Sequence, residues 1–447
     1  MFGDLRRHIA ARYPNELASR HIQDSVSWLF ADHLPGARDR HVGRSLAFGV
    51  EEGMSRPLRI GVVMAGGHNW MAGIEYIKNL VLCLASLPAQ TRSGFEVCLI
   101  CGEDCRQAAA ELSAALGSTY FYDASPALLT PTNIMRLGMN KILLGQPDLR
   151  LHRVLKTAKV DFAYPYAATF RWKQPFRSAA WIPDCQHKHL SQFFTPQEVQ
   201  ARDKGFATIA SHSSVIVFSS KSAEADFRSF FSGKYRSEIL SPRMRPVPAW
   251  YEIDPVETQR AYHLPDRFFM ISNQFWQHKN HLLVFNALKL LSEKGVHPVV
   301  VCTGGLHDYR SPSFSSTVLQ TIHRLGIANQ VYLLGVIPRV DMMSLMRRAL
   351  AVVQPSLFEG WNLGVEEARC LGKPIVLSDI PVHREQDPPG STFFAVDSAE
   401  QLATILGQCW SDLSPGPDAE REEAARNSSL GEAQAFAYRF LDIARGE

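Results

Sequence analysis

The sequence predicts an α/β protein made of two doubly wound domains that face each other across a cleft. Three observations carry this. Strand-like runs alternate with helical patterns along most of the 447 residues, the order that builds parallel sheets covered by helices. The alternation breaks at residues 241–252 (SPRMRPVPAWYE), whose three prolines suit a linker, and it then restarts at similar length. A composition of 46% hydrophobic and 20% charged residues supplies enough apolar surface for two sizeable cores.

Residues 1–57 read as a helical extension. Ile22, Val26, Leu29 and His33 recur at helical spacing, and Pro35-Gly36 ends the pattern. This helix is expected to pack on the next domain; a membrane-surface role would need more basic residues on its other face. The first domain, 58–248, opens with a strand at 58–64 (LRIGVVM), a glycine-bearing loop at 65–73 (AGGHNWMAG) and the helical pattern IEYIKNLVLCLASL. Further strand-like runs are FEVCLI, DFAYPY, AAWIPD and SVIVFSS. The second domain, 249–430, repeats the scheme. FFMISNQ, PVVVCTGG, VYLLG, LAVVQPS and KPIVLSD read as strands, and HLLVFNALKLLSEKG, DMMSLMRRA and GVEEARCLG as helices. Residues 431–447 hold another amphipathic helix, EAQAFAYRFLDIA, expected to cross back to the first domain. Two such domains set two rows of strand C-terminal ends against one cleft.

Charge and composition exclude several classes. Lys+Arg is 47 and Asp+Glu is 44, a formal charge of +3. That balance is too even for bulk electrostatic binding of nucleic acid, so no such partner is expected. No apolar run approaches the roughly 18 residues of a membrane helix, and the first residues lack the apolar core of a signal peptide. A cytoplasmic location is the expectation. The eight cysteines are scattered, which fits reduced thiols. Cys98, Cys101 and Cys105 have no fourth ligand at metal-binding spacing, so they read as a buried strand and the loop after it.

The richest stretch is 355–386, PSLFEGWNLGVEEARCLGKPIVLSDIPVHREQ. Glu359 follows a strand. Gly360, Trp361 and Asn362 make a turn, a helix runs from about Gly364 to Cys370, and Gly372 with Pro374 stops it. Backbone N–H groups of the turn and the helix N-terminus favour a phosphate. Glu367 lies one turn inside, so Glu359 and Glu367 form an E-x7-E pair flanking an anion site. Carboxylates there would accept hydrogen bonds from sugar hydroxyls, a ribose at one end and a transferred sugar at the other. The plainer reading is two carboxylates favoured by the helix dipole; the stretch as a whole favours the binding reading. In 272–281, SNQFWQHKNH, Lys279 follows the first strand of the second domain and precedes a helix. A flexible ammonium there would neutralise a bound diphosphate.

With these residues the sequence resembles retaining glycosyltransferases of family 4, whose GT-B architecture is two Rossmann-like domains facing each other across a cleft. Three more segments carry the resemblance: HNWMAGIEYIKNL; WIPDCQHKHLSQFF, close to the D-x-Q-H-x-x-x-P-x-x-F-F pattern of bacterial polysaccharide sugar transferases; and VIVFSSKSAEADF. It spans about Leu58 to Ala444. The resemblance implies roles residue by residue. Glu359 would meet the donor sugar, Lys279 the leaving diphosphate, and His187 the reacting carbon and acceptor. Glu367 would bind the ribose. Gly360 with the backbone of Trp361, Asn362 and Leu363 would hold the distal phosphate, and Gly73 would approach it from the first domain. The sequence departs from the family in places. Gln274 stands where an Arg is frequent, with Arg339 or Arg384 as candidate substitutes. Asn362 replaces a small residue and is expected to tolerate positive φ. Gly364 replaces a Pro, Ala72 a Gly, and Ser191 a Pro.

The implied reaction moves a sugar, with retention, from a nucleoside diphosphate sugar to a saccharide or lipid-linked saccharide in polysaccharide or glycoconjugate synthesis. The 184–187 segment leans toward GDP-mannose. No cofactor is expected, and without an Asp-x-Asp motif no metal. A lipid-linked acceptor would bring the first domain to the inner face of a membrane as a peripheral contact. The alternatives are a nucleotide-sugar epimerase of the same architecture and a non-catalytic scaffold of a polysaccharide assembly complex. A dinucleotide oxidoreductase is disfavoured, because AGGHN rather than G-x-G-x-x-G follows the first strand.

Overall fold

The computed structural model describes residues 56–64, 71–102, 105–121, 149–167 and 174–447. The helix expected around residues 22–33 lies outside them, as does most of the loop expected at 65–73. In the first domain β1 (Leu58–Val63), β2 (Phe95–Cys101), β3 (Gly117–Phe121), β4 (Phe162–Tyr164) and β5 (Arg177–Ser178) form one parallel sheet in the order β3-β2-β1-β4-β5. A second parallel sheet holds β6 (Ala180–Ile182), β7 (Val215–Phe218) and β8 (Arg236–Ile239). Parallel strands are covered on both faces, so they read as continuous apolar runs. In β2, FEVCLIC, every side chain but one is buried, and Cys98 and Cys101 are core residues.

The second domain has β9 (Phe269–Ser272), β10 (Val300–Thr303), β11 (Val331–Gly335), β12 (Val352–Gln354), β13 (Ile375–Ser378) and β14 (Ser391–Phe394). They form one six-stranded parallel sheet in the order β11-β10-β9-β12-β13-β14. One face carries a core around Phe269, Ile271, Phe285 and Leu288, the other a core around Met270, Val301, Val352 and Val365. β3, β5, β8 and β14 are strands the sequence reading did not single out. All four lie at sheet edges, and sequences such as RSEI and GSTYF carry no long apolar run.

Among the helices, α1 spans Met71–Ala85, α2 Pro196–His212, α3 Lys221–Phe230, α4 His281–Glu293, α5 Arg339–Arg348, α6 Leu363–Cys370, α7 Pro381–Gln386 and α8 Ala419–Arg445. Two differ from expectation. α1 starts at Met71, so Ala72 and Gly73 lie in its first turn rather than in a loop. α8 starts at Ala419, capped by Asp418, which accepts from the Arg421 N–H.

α8 belongs to both domains. Near its start, Glu422 is buried against Arg347 of α5 at 2.8 and 3.0 Å, and Arg347 also donates to the carbonyls of Trp250 and Ile253. Further along, Ala433, Phe436, Ala437, Phe440 and Leu441 enter the first domain's core beside Ile60, Ile77 and Tyr164. Between them, Glu432 pairs with Arg243 of the linker at 3.1 Å. Arg243 also reaches Glu366 of α6 at 3.1 Å, and Arg369 reaches the same carboxylate at 3.4 Å. Among the described residues no helix is long and apolar enough to cross a membrane.

Candidate active site

The strand order reverses between β9 and β12, so the turns leaving their C-terminal ends open a crevice between them. That topology brings Lys279 and Glu359 together. After β9 the chain makes a tight turn, Gln277–Lys279, and Asn280 takes a left-handed conformation at φ 56° before α4. After β12 comes the turn that holds Glu359. The two turns are joined by the Leu357 N–H, which donates to the His278 carbonyl at 2.8 Å. Lys279 Nζ then donates to Glu359 Oε1 at 2.5 Å, with both side chains largely buried.

Asn362 organises the next step. Its φ is −94°, so its tolerance of positive φ is not used. It is the N-cap of α6, where its Oδ1 accepts from the Gly364 N–H at 3.0 Å. Its Nδ2 donates to Gln354 Oε1 at 3.2 Å and faces Glu359 Oε1 at 3.5 Å and His383 Nε2 at 3.1 Å. The Asn362 backbone N–H goes to Gln386 Oε1 at 3.2 Å. Of the three backbone groups expected to hold a phosphate, that of Asn362 therefore already has a protein partner. Gly364 has a steric reason: a Cβ there would stand 2.6 Å from Gln354 Nε2. Trp361 lies under the Arg243 guanidinium, 5.5 Å from ring centroid to cation.

Glu367 is buried on α6 and pairs with Arg339 Nη2 at 2.7 Å, while Arg339 Nη1 stands 3.4 Å from Glu75 of α1. Burial pushes the Glu367 carboxyl above its usual range, against the pull of Arg339. The pair brings Glu75, one turn into α1 and two residues after Gly73, against the second domain. Of the two arginines considered for the role left open by Gln274, Arg339 is at the site. Arg384 is not: it is exposed and paired with Asp379 at 2.6 Å. Gln274 sits half-buried after β9, its carbonyl accepting from the Trp276 N–H at 2.8 Å.

From the first domain, Asp184 and the turn Gln186–His189 reach the crevice. Gly360 packs so closely on them that a Cβ would lie 2.2 Å from the Pro183 carbonyl oxygen and 2.8 Å from Asp184 Cβ. Asp184 is raised by burial and by the neighbouring Glu359 charge, while the Gln186 N–H lowers it. His187 is fully buried, with Phe194 and Phe206 around its ring. Its Nε2 is 3.0 Å from Asp203 Oδ1, and Lys188 Nζ is 2.7 Å from the other oxygen. Burial lowers the imidazole and Asp203 opposes it. The structure thus seats His187 within the first domain, one residue from the cleft contact of Gln186. Asp184 belongs to the D-x-Q-H pattern already noted in the sequence; Asp203, Gln354, His383 and Gln386 were not foreseen, and each became visible only when the fold brought separate segments together.

The two-domain parallel architecture with this crevice is the GT-B fold, and residues 257–425 match the family described as Glycosyl transferases group 1. Among solved structures, HepE of Anabaena in complex with UDP and glucose is 14% identical, covers 87% of this chain and 100% of its own, and has a TM-score of 0.60. Sucrose-phosphate synthase of Thermosynechococcus elongatus is 13% identical over 87% of this chain and 98% of its own, also at 0.60. Among curated proteins, the O-antigen chain mannosyltransferase RfbU of Salmonella typhimurium is 27% identical over 142 residues. That stretch is 32% of this chain and spans 38% of the relative's length.

Proposed function

We propose that the protein is a retaining glycosyltransferase. It moves a sugar from a nucleoside diphosphate sugar to a saccharide or lipid-linked saccharide in the making of a polysaccharide or glycoconjugate. The observation that carries this is the meeting of Lys279 and Glu359 at 2.5 Å, beside the N-terminus of α6. A cation next to helix N–H groups suits a diphosphate that gains charge as it leaves. A carboxylate beside them suits the hydroxyls of the sugar being transferred. The bond from the anomeric carbon to the diphosphate breaks, the acceptor oxygen attacks the same face, and its proton passes to the leaving phosphate. Lys279 and the helix terminus serve the charge in this reading, so no metal or other cofactor is invoked. RfbU is named as a mannosyltransferase, which puts GDP-mannose first among donors to try. UDP-sugars follow, since HepE holds UDP.

The test is thermal stabilisation by UDP, GDP, ADP and NAD at equal concentration, since a ligand of the folded state raises the midpoint. One nucleoside diphosphate is expected to shift it, and Glu367→Ala to abolish the shift. A shift with NAD alone would overturn the reading. With the donor identified, Glu359→Gln and Lys279→Ala are each expected to lower turnover by about a hundredfold or more. A chelator is expected to leave the rate unchanged.

A further inference from the structure

We propose that Arg310 is the positioning residue that clasps the two domains together and sets Lys279 in place. This rests on the reading of Lys279 given above. Arg310 lies in the loop after β10, and its side chain is 6% exposed. A guanidinium has five donors and no acceptor, and leaving it buried without partners is costly. Here its partners come from both domains. Nη1 donates to Gln186 Oε1 of the first domain at 3.2 Å, and Phe194 of that domain lies 5.1 Å from the cation. On the second domain, Nη2 donates to His278 Nδ1 at 3.2 Å, Nε is 3.4 Å from Asp308 Oδ1, and the Trp276 ring is 4.7 Å away.

Trp276 and His278 belong to the turn that presents Lys279. The same loop braces that turn twice more. Asp308 Oδ2 accepts from the Gln277 N–H at 3.3 Å, and Gln277 Nε2 donates to Ser311 Oγ at 2.8 Å. His278 must be neutral to accept at Nδ1. Burial, with Lys279 and Arg310 beside it, keeps it so by holding its pKa well below the ordinary value. One rigid fork therefore joins the Gln186 segment, the loop after β10 and the Lys279 turn. A lysine, a single point charge on a flexible stem, does not make these contacts at once.

The experiment uses the full chain carrying Arg310→Gln, Arg310→Lys, Gln186→Leu or Gln186→Glu. Small-angle X-ray scattering measures the spread of the two domains, calorimetry with UDP and GDP measures nucleotide affinity, and kcat and KM are measured where transfer is found. Arg310→Gln, Arg310→Lys and Gln186→Leu are expected to raise the radius of gyration of the unliganded chain. Gln186→Glu, which keeps an acceptor for the fork, is expected to stay as compact as the parent. In transfer, the first three are expected to lose about tenfold or more in kcat while nucleotide affinity stays within about threefold. Unchanged scattering in Arg310→Gln and Gln186→Leu would overturn the clasp. So would loss of nucleotide affinity in proportion to kcat, since Arg310 would then act on the nucleotide itself. If the parent chain binds no nucleotide, the transferase reading fails, and the scattering alone still decides the clasp.

Discussion

Gly360 has no room for a methyl group. The Pro183 carbonyl would stand 2.2 Å from its Cβ, and that carbonyl belongs to the other domain. Gly360→Ala can be relieved only by moving the domains apart or distorting the Glu359 turn. Turnover is therefore expected to fall at least about tenfold while the thermal midpoint drops only modestly; a variant with parental kcat would show that this contact is not kept during the reaction. His281 makes a different prediction at the same scale. It is fully buried, stacked on Phe275 at 4.0 Å, and neither ring nitrogen has a hydrogen-bond partner among the described residues. Burial, with Lys279 nearby, lowers its pKa to about 3. In the unfolded chain a histidine takes up a proton near pH 6.5, so the unfolded state binds more protons below that pH and stability falls as acid is added. This one residue accounts for about 2 kcal/mol between pH 8 and pH 5. Denaturant titrations across that range should show the loss, and His281→Phe should flatten the slope.

At the scale of elements, the site is a product of strand order. Lys279 and Glu359 are 80 positions apart and meet because β9 and β12 are neighbours where the order reverses. Each was legible singly, as a charged residue just past a strand, and the E-x7-E spacing marked the helix that follows Glu359. The partners of Asn362 were not legible. Gln354 ends β12 and His383 and Gln386 lie on α7, and no local pattern announces an amide that will face another amide. Asn362 itself was read for its tolerance of positive φ, whereas its short side chain serves as a cap. The start of α8 was missed because its first turns, AEREEAARN, are polar and hide a buried partner. That partner is Glu422, held by Nε and Nη2 of Arg347. Glu422→Ala strands a buried arginine, so chemical denaturation should report a loss of about 3–5 kcal/mol. A loss below 1 kcal/mol would mean that water reaches the vacated site.

At the scale of the molecule, the two domains share one long helix and one linker. Phe440 of α8 packs edge-on against Tyr164 at 5.3 Å and Phe162 at 6.2 Å, inside the first domain's sheet layer. Phe440→Ala should cost about 3–5 kcal/mol, as for other large core aromatics. The unfolding signal of the first domain should move with it, although residue 440 follows the whole second domain in sequence. Cutting the chain after Gly431 should leave a first domain that binds apolar dyes; the absence of such binding would show that the core closes without α8.

That helix also fixes an order of events during synthesis. The strands of the first domain emerge from the ribosome well before Phe436 and Phe440 are translated, and most domains fold as they emerge. Here the first domain made is the second one finished. Its β1, β2 and β4 layer stays open on one side until the second domain has been made and α8 swings back to close it. The nascent chain therefore carries an unsealed apolar face through the making of more than half its length, and for that interval it is a natural client for whatever in the cell shields such faces.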